Sequence, residues 1–182
     1  MSRNYLAVVK TFTYQTKARL EFLNISSDLE NFIEESGVKT GTVTIATHHT
    51  TCSLWVNEDE KNLIGPRSVL DGVTPDLHRA LDRFADPNEK YGHNDVCDAR
   101  NPAGRRDTHL CEPDENGLIQ ECINGHAHAQ ALMLHASITL IIKDGQWQKG
   151  KWQQLLLVEL DHDRKRQLTM LAQGIDGVKG EA

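Results

Sequence analysis

Four short segments of this chain carry side chains able to do chemistry, and each contains histidine. The first is His48-His49-Thr50-Thr51-Cys52-Ser53, ending at Asn57-Glu58. The second is Tyr91-Gly92-His93-Asn94-Asp95, and the third is Asn124-Gly125-His126-Ala127-His128, with His135 beyond it. The fourth runs from Glu159-Leu160-Asp161-His162-Asp163 into Arg164-Lys165-Arg166. Nine histidines in 182 residues exceed what packing asks for. Neutral imidazole is both a ligand for divalent metals and a general acid or base near neutral pH. Arg164 and Arg166 share parity if extended, and their planar forks suit a phosphate or carboxylate. A solvated basic turn fits the same residues. No phosphate-binding glycine loop, G-x-S-x-G or H-E-x-x-H occurs.

The elements that must hold these segments can be read from periodicity. Ala7 to Tyr14 is β-branched and aromatic, which predicts a strand, with Leu20 to Ile25 as its antiparallel partner. Ser27-x-x-Glu30 has the capping-box spacing and opens a helix that Gly37 stops. Gly41 to His49 reads as a strand with Val43, Ile45 and Thr47 on its apolar side. By parity His49 points inward and His48 outward. His49 is then a ligand, an acid/base group, or a hydrogen-bonded histidine at a strand end.

Cys52 to Asn57 continues as strand, and Thr74-Pro75 supplies N-cap and N1 of a helix through Leu77, Leu81 and Phe84. A helix is expected from Gly125 to Leu134. Histidines two apart on a helix lie about 200° apart, so either His126–His128 is not helical or only one enters a site. Strands are expected over Ser137–Lys143, Gln154–Leu160 and Gln167–Gln173, with Lys143-Asp144-Gly145-Gln146 as a hairpin turn. Helices interrupting antiparallel pairs predict an α+β fold.

Composition narrows the possibilities further. The length suits one domain, 38% apolar residues suffice for a core, and a net charge of −6 argues against a basic nucleic-acid face. No apolar run is long enough for a membrane span, and Met1-Ser2-Arg3-Asn4-Tyr5 lacks a signal-peptide core, so a cytoplasmic protein without membrane or nucleic-acid partners is expected. Four cysteines in that setting read as thiols or ligands.

Taken together, the motifs resemble the YjbQ-like family, also called the secondary thiamine-phosphate synthase family. The matching pieces, in order, are His49-Thr50-Thr51-x-Ser53-Leu54 with Asn57-Glu58, then Asp76 in a helix, Tyr91-x-His93-Asn94, and Asn124-x-His126-Ala127-His128. They continue with Gly150-x-Trp152-Gln153, Glu159-x-Asp161 and Arg164-x-Arg166, so the resemblance covers most of residues 5–175. It implies an α+β fold with a β-sandwich-like core of mostly antiparallel strands and a homotrimer. It also implies a histidine cluster binding a divalent metal, with zinc first and magnesium as the alternative. By position His49, His93 and His128 are the implied metal ligands, with His126 ranked lower, and Glu58 and Asp76 match acidic positions.

Two departures stand out. His162-Asp163 replaces a frequent Gly-Pro, and residues 97–121 exceed the usual family loop, bringing Cys97, His109, Cys111 and Cys122 with them. The domain is therefore expected as one YjbQ-like unit over 1–182 with an insert at about 97–121, either a rim over the metal pocket or a surface loop.

The expected function is a metal-dependent enzyme, a transferase or a hydrolase, acting on a small phosphorylated or anionic metabolite. Glu58 or Asp76 would serve as acid/base or orienting group and Arg164 or Arg166 as anion holder. The resemblance names the candidate reaction: a pyrimidine diphosphate is joined to a thiazole phosphate and pyrophosphate is released. The rival expectations are a metallo-hydrolase, a non-catalytic metal- or ligand-binding homotrimer, and a redox or zinc-sensing role for the extra cysteines.

Overall fold

The computed structural model describes residues 4–66, 72–94 and 123–177. The strands are β1 (Tyr5–Gln15), β2 (Glu21–Asn24), β3 (Thr40–Thr47), β4 (Cys52–Glu58), β5 (Ser137–Lys143), β6 (Gln146–Trp147), β7 (Gln153–Glu159) and β8 (Lys165–Ile175). Among the described residues the helices are α1 (Ser26–Ser36), α2 (Lys61–Ile64), α3 (Asp76–Phe84) and α4 (Gly125–Ala131), with a 3-10 turn at Gly92–Asn94. One sheet has the order β1-β8-β3-β5-β6 and the other β2-β7-β4, with antiparallel pairing throughout. This is the expected α+β sandwich.

The core lies between the sheets. Val43 and Ile45 of β3 meet Leu168, Met170 and Ala172 of β8, Leu155 and Leu157 of β7, and Leu29, Phe32 and Ile33 of α1. Each such side chain contributes about 1.5–3 kcal/mol on burial. The alternate residues of β7, Leu156 and Val158, pack instead with Leu81 of α3 and Ala127 of α4. So the continuous run Leu155-Leu156-Leu157-Val158 serves two apolar layers, as a strand buried on both faces must. The second layer seats α3 and α4 on the smaller sheet.

Several local expectations change. Leu20–Ile25 does not pair with β1; β2 pairs with β7 in the other sheet. Leu20, at φ +55, turns the chain out of the first sheet. The capping box does not form: α1 starts at Ser26, whose N–H donates to the Asn24 side chain and whose hydroxyl accepts from Leu155 N–H. Gly37 does end α1, at φ +73. Asp144 and Gly145 both have positive φ and close the β5–β6 hairpin as expected. The short α2 escapes the periodicity, and its cap is the Glu60 carboxylate, which accepts from the Asn62 and Leu63 N–H groups.

Leu54 and His135 exchange backbone hydrogen bonds of 2.7 and 3.2 Å, bridging β4 to the chain just before β5. The outward face of the larger sheet carries cross-strand rows without charge. Ala7, Gln173, Thr42 and Ile141 form one, Val9, Leu171, Thr44 and Thr139 the next, and Thr11, Thr169, Ala46 and Ser137 a third.

Candidate functional site

The polar residues gather where α4 meets the turn between β7 and β8. Asn124, just before α4, donates from Nδ2 to Asp161 at 3.0 Å, and Asp161 pairs with Arg164 at 3.1 Å. The 3-10 turn packs on the same helix end. Gly125 N–H donates to Asn94 Oδ1 at 2.9 Å, and Tyr91 lies so close to Gly125 that an added Cβ would sit 2.5 Å from the Tyr91 Cβ. That contact sets His93 against His128, with ring centroids 4.5 Å apart in an edge-to-face arrangement.

The α4 segment is helical, so its two histidines part company. His126 turns inward, and its Nε2 accepts from Arg19 Nε–H at 3.2 Å, while the Arg19 fork is held by Asp82 of α3. Burial and then Arg19 hold His126 below the usual imidazole range. His128 faces His93, and its N–H is bonded to the Asn124 carbonyl, one turn away. Of the third segment's histidines, therefore, His128 belongs to the rim and His126 to the packing beneath it.

The two arginines also differ. Arg166 is 2% exposed and donates from Nε at 2.5 Å, and from its terminal nitrogen, to Glu159, which is 0% exposed. It reaches Thr51 Oγ1 at 3.2 Å as well. Arg164 lies in the turn with its side chain 21% exposed, against Asp161 and the His162 ring. The anion-holding role anticipated for Arg164 or Arg166 therefore has only Arg164 at the surface. Shared parity misled because Arg164 is in the turn and only Arg166 is in β8.

The remaining expected residues are dispersed. His49 follows β3 and is half-buried. Its Nε2 accepts from Gln167 N–H at 2.8 Å, and burial, then Arg166, lower its pKa. His48 points the other way, as parity required, to Thr169 at 2.9 Å. Glu58 lies at the far end of β4: Cys52 is paired with Glu159 and Glu58 with Gln153, so a strand of roughly 20 Å separates Glu58 from the cluster. Asp76 begins α3 at the surface, paired with Arg79. Among the described residues no three His, Cys, Asp or Glu side chains form a metal-sized group. Cys97, His109, Cys111, Cys122 and the insert at 97–121 lie outside the described residues. Sequence reasoning missed Arg19, Asp82 and the role of Glu159. Only the Glu159-x-Asp161 pattern hinted at the last.

A family model described as UPF0047 protein YjbQ-like matches residues 10–175. The chain belongs to the YjbQ-like UPF0047 family. Among its relatives, a UPF0047 protein of Methanothermobacter thermautotrophicus is 25% identical over 88% of this chain and 87% of its own length. UPF0047 protein YugU of Bacillus subtilis is 24% identical over 87% of this chain and 94% of its own. In structure, the chain is similar to a YbjQ-like protein of unknown function from Sulfolobus solfataricus P2, with a TM-score of 0.72, 24% identity, and coverage of 94% of this chain and 99% of that one. A hypothetical protein of Aeropyrum pernix K1 gives 0.67 at 23% identity, covering 92% and 98%. The matched span includes the α4 end, the 3-10 turn and the β7–β8 turn of this chain. No helix among the described residues is long and apolar enough to cross a membrane.

Proposed function

We propose that this chain is a metal-dependent enzyme acting on a small phosphorylated or otherwise anionic metabolite. The observation that supports it most is the spacing along α4. Asn124, which donates to Asp161 of the Asp161–Arg164 pair, and His128, which faces His93, are one helical turn apart. A cation site beside an arginine suits transfer of a phosphorylated group. Two imidazoles on a tetrahedral zinc, at about 2.0–2.1 Å each, have ring centres roughly 5 Å apart. The 4.5 Å between His93 and His128 fits two such ligands. His49 does not join them among the described residues, so the fit is to two ligands of one ion.

His93 and His128 would hold the ion, zinc or magnesium, which when bound polarises a phosphate or activates a water. Arg164 binds the anion, and Asp161 holds its guanidinium in place. The candidate reaction implied by the resemblance joins a pyrimidine diphosphate to a thiazole phosphate. The test supplies both with Zn²⁺ or Mg²⁺ and follows pyrophosphate and the joined product. Metal-dependent release, reduced at least about 100-fold in His93→Ala and His128→Ala, is expected. Release that survives chelation overturns the reading. Pyrophosphate-site cleavage without a joined product makes the protein a metallo-hydrolase. Metal binding without turnover makes it a non-catalytic binding protein.

The same reading includes a homotrimer in the cytoplasm. Three consecutive uncharged rows on the outward face of the larger sheet, with lysines only beyond them at Lys143 and Lys165, support self-association, since interface centres are depleted of charge. Sedimentation equilibrium at micromolar concentration is expected to give three times the chain mass, and a monomer mass refutes it.

A further inference from the structure

We propose that Glu159 and Arg166 are positioning residues that set the Asp161–Arg164 pair against α4, and that neither contacts the anion. This deepens the proposed function and rests on it for what the pair does. Glu159 closes β7 and Arg166 is the second residue of β8, so the two stems of the turn meet in one buried ion pair. A buried pair is poor evidence of stabilisation in itself, because desolvation offsets the attraction. What this carboxylate touches gives it a purpose.

Glu159 Oε1 accepts from the Asp161 N–H at 2.9 Å. Its Oε2 accepts from the Thr16 hydroxyl at 3.0 Å. That hydroxyl in turn accepts from the Arg164 N–H at 2.9 Å. The Arg164 carbonyl is taken by Thr16 N–H at 3.0 Å. One carboxylate therefore fixes, directly and through one hydroxyl, the backbone of both residues whose side chains form the rim pair. Arg166 holds the carboxylate in the plane that makes both contacts and is itself fixed by Thr51. Asp161 then reaches Asn124, which registers the turn against the helix bearing His128.

The test uses the full chain with inorganic pyrophosphate as probe. Glu159→Leu with Arg166→Met removes both charges at similar volume, so no lone charge is left inside. Thermal melting confirms folding. The expected result is a folded protein whose pyrophosphate affinity drops at least tenfold by calorimetry, and whose Asn124 side-chain amide signals move in the ¹⁵N spectrum. Glu159→Gln with Arg166→Met restores an acceptor for the Asp161 N–H and is expected to recover part of both. Should the Leu/Met variant fail to fold, the Gln/Met variant carries the same readouts at reduced size. Wild-type affinity and unmoved Asn124 signals in the folded variants overturn the positioning role. If the wild-type chain binds no pyrophosphate, the anion reading fails, and the Asn124 signals alone still decide the positioning.

Discussion

The inner and outer parts of the polar cluster are built from the same residue types and do opposite things. Inside, Glu159, Arg166 and His126 are buried against named partners: the Arg166 fork grips the Glu159 carboxylate, and the His126 imidazole accepts from the guanidinium of the half-buried Arg19. Outside, His93, His128 and Arg164 lie partly open to solvent. His128 stands two residues from His126, and Arg164 two residues from Arg166. The difference teaches that proximity in sequence to a catalytic-looking motif is not evidence of a catalytic role. A polar side chain enclosed by the fold builds the site, and one that meets solvent can also meet a ligand.

Mutations should separate the two parts. The largest expected effect is Glu159→Ala, which leaves Arg166 charged, buried and unpaired. It should lower stability by about 3–5 kcal/mol in urea unfolding. His128→Ala on the rim should stay within about 0.5 kcal/mol of wild type in the same assay. Equal losses would erase the distinction. Gly125→Ala sits between the parts: its Cβ would collide with Tyr91 and push the 3-10 turn off α4. It should cost about 1–3 kcal/mol and weaken Zn²⁺ binding at least tenfold, read by competition with a chromophoric chelator. Unchanged zinc affinity would disconnect His93 from the site.

A smaller effect is expected from pH. Burial lowers the pKa of His126 in the fold, so the unfolded chain takes up its proton first, near pH 6.5. Stability therefore falls as pH drops from about 7.5 to about 5.5. His126→Gln should flatten that slope in urea midpoints measured at both pH values. The smallest effect is Asp76→Asn. Its partner Arg79 is as exposed as it is, so stability should change by less than about 0.5 kcal/mol, and pyrophosphate affinity should hold. A tenfold loss of affinity would bring Asp76 back into the site.

Strand identity was largely legible in the sequence. Ser137–Lys143 stands where alternation put it, and the Asp144-Gly145 turn follows from its φ requirement. Pairing was not legible, because β2 joins β7 across more than a hundred residues and only the Leu20 kink redirects it. The site shows the same divide. Parity separated His48 from His49, and helical angle separated His126 from His128. The Arg166–Glu159 clamp closes across a turn, and the Arg19–Asp82–His126 chain joins a loop to two helices, so no periodicity announces either.

At seven residues, α4 is too short to hold itself together in water. It is nonetheless moored at both ends, by Asn124 to Asp161 at its start and, soon after its end, by the exchanged bonds of His135 and Leu54. One mooring is the turn that leaves β7 and the other is β4, so the helix cannot slide or unwind without releasing one of them. Amide protons of Ala127 through Ala131 should then exchange with deuterium only when the sheet itself opens, far more slowly than the helix length alone would allow. A seven-residue helix becomes, in effect, a beam with fixed ends, and the imidazole of His128 inherits the positional precision of the sheet beneath it.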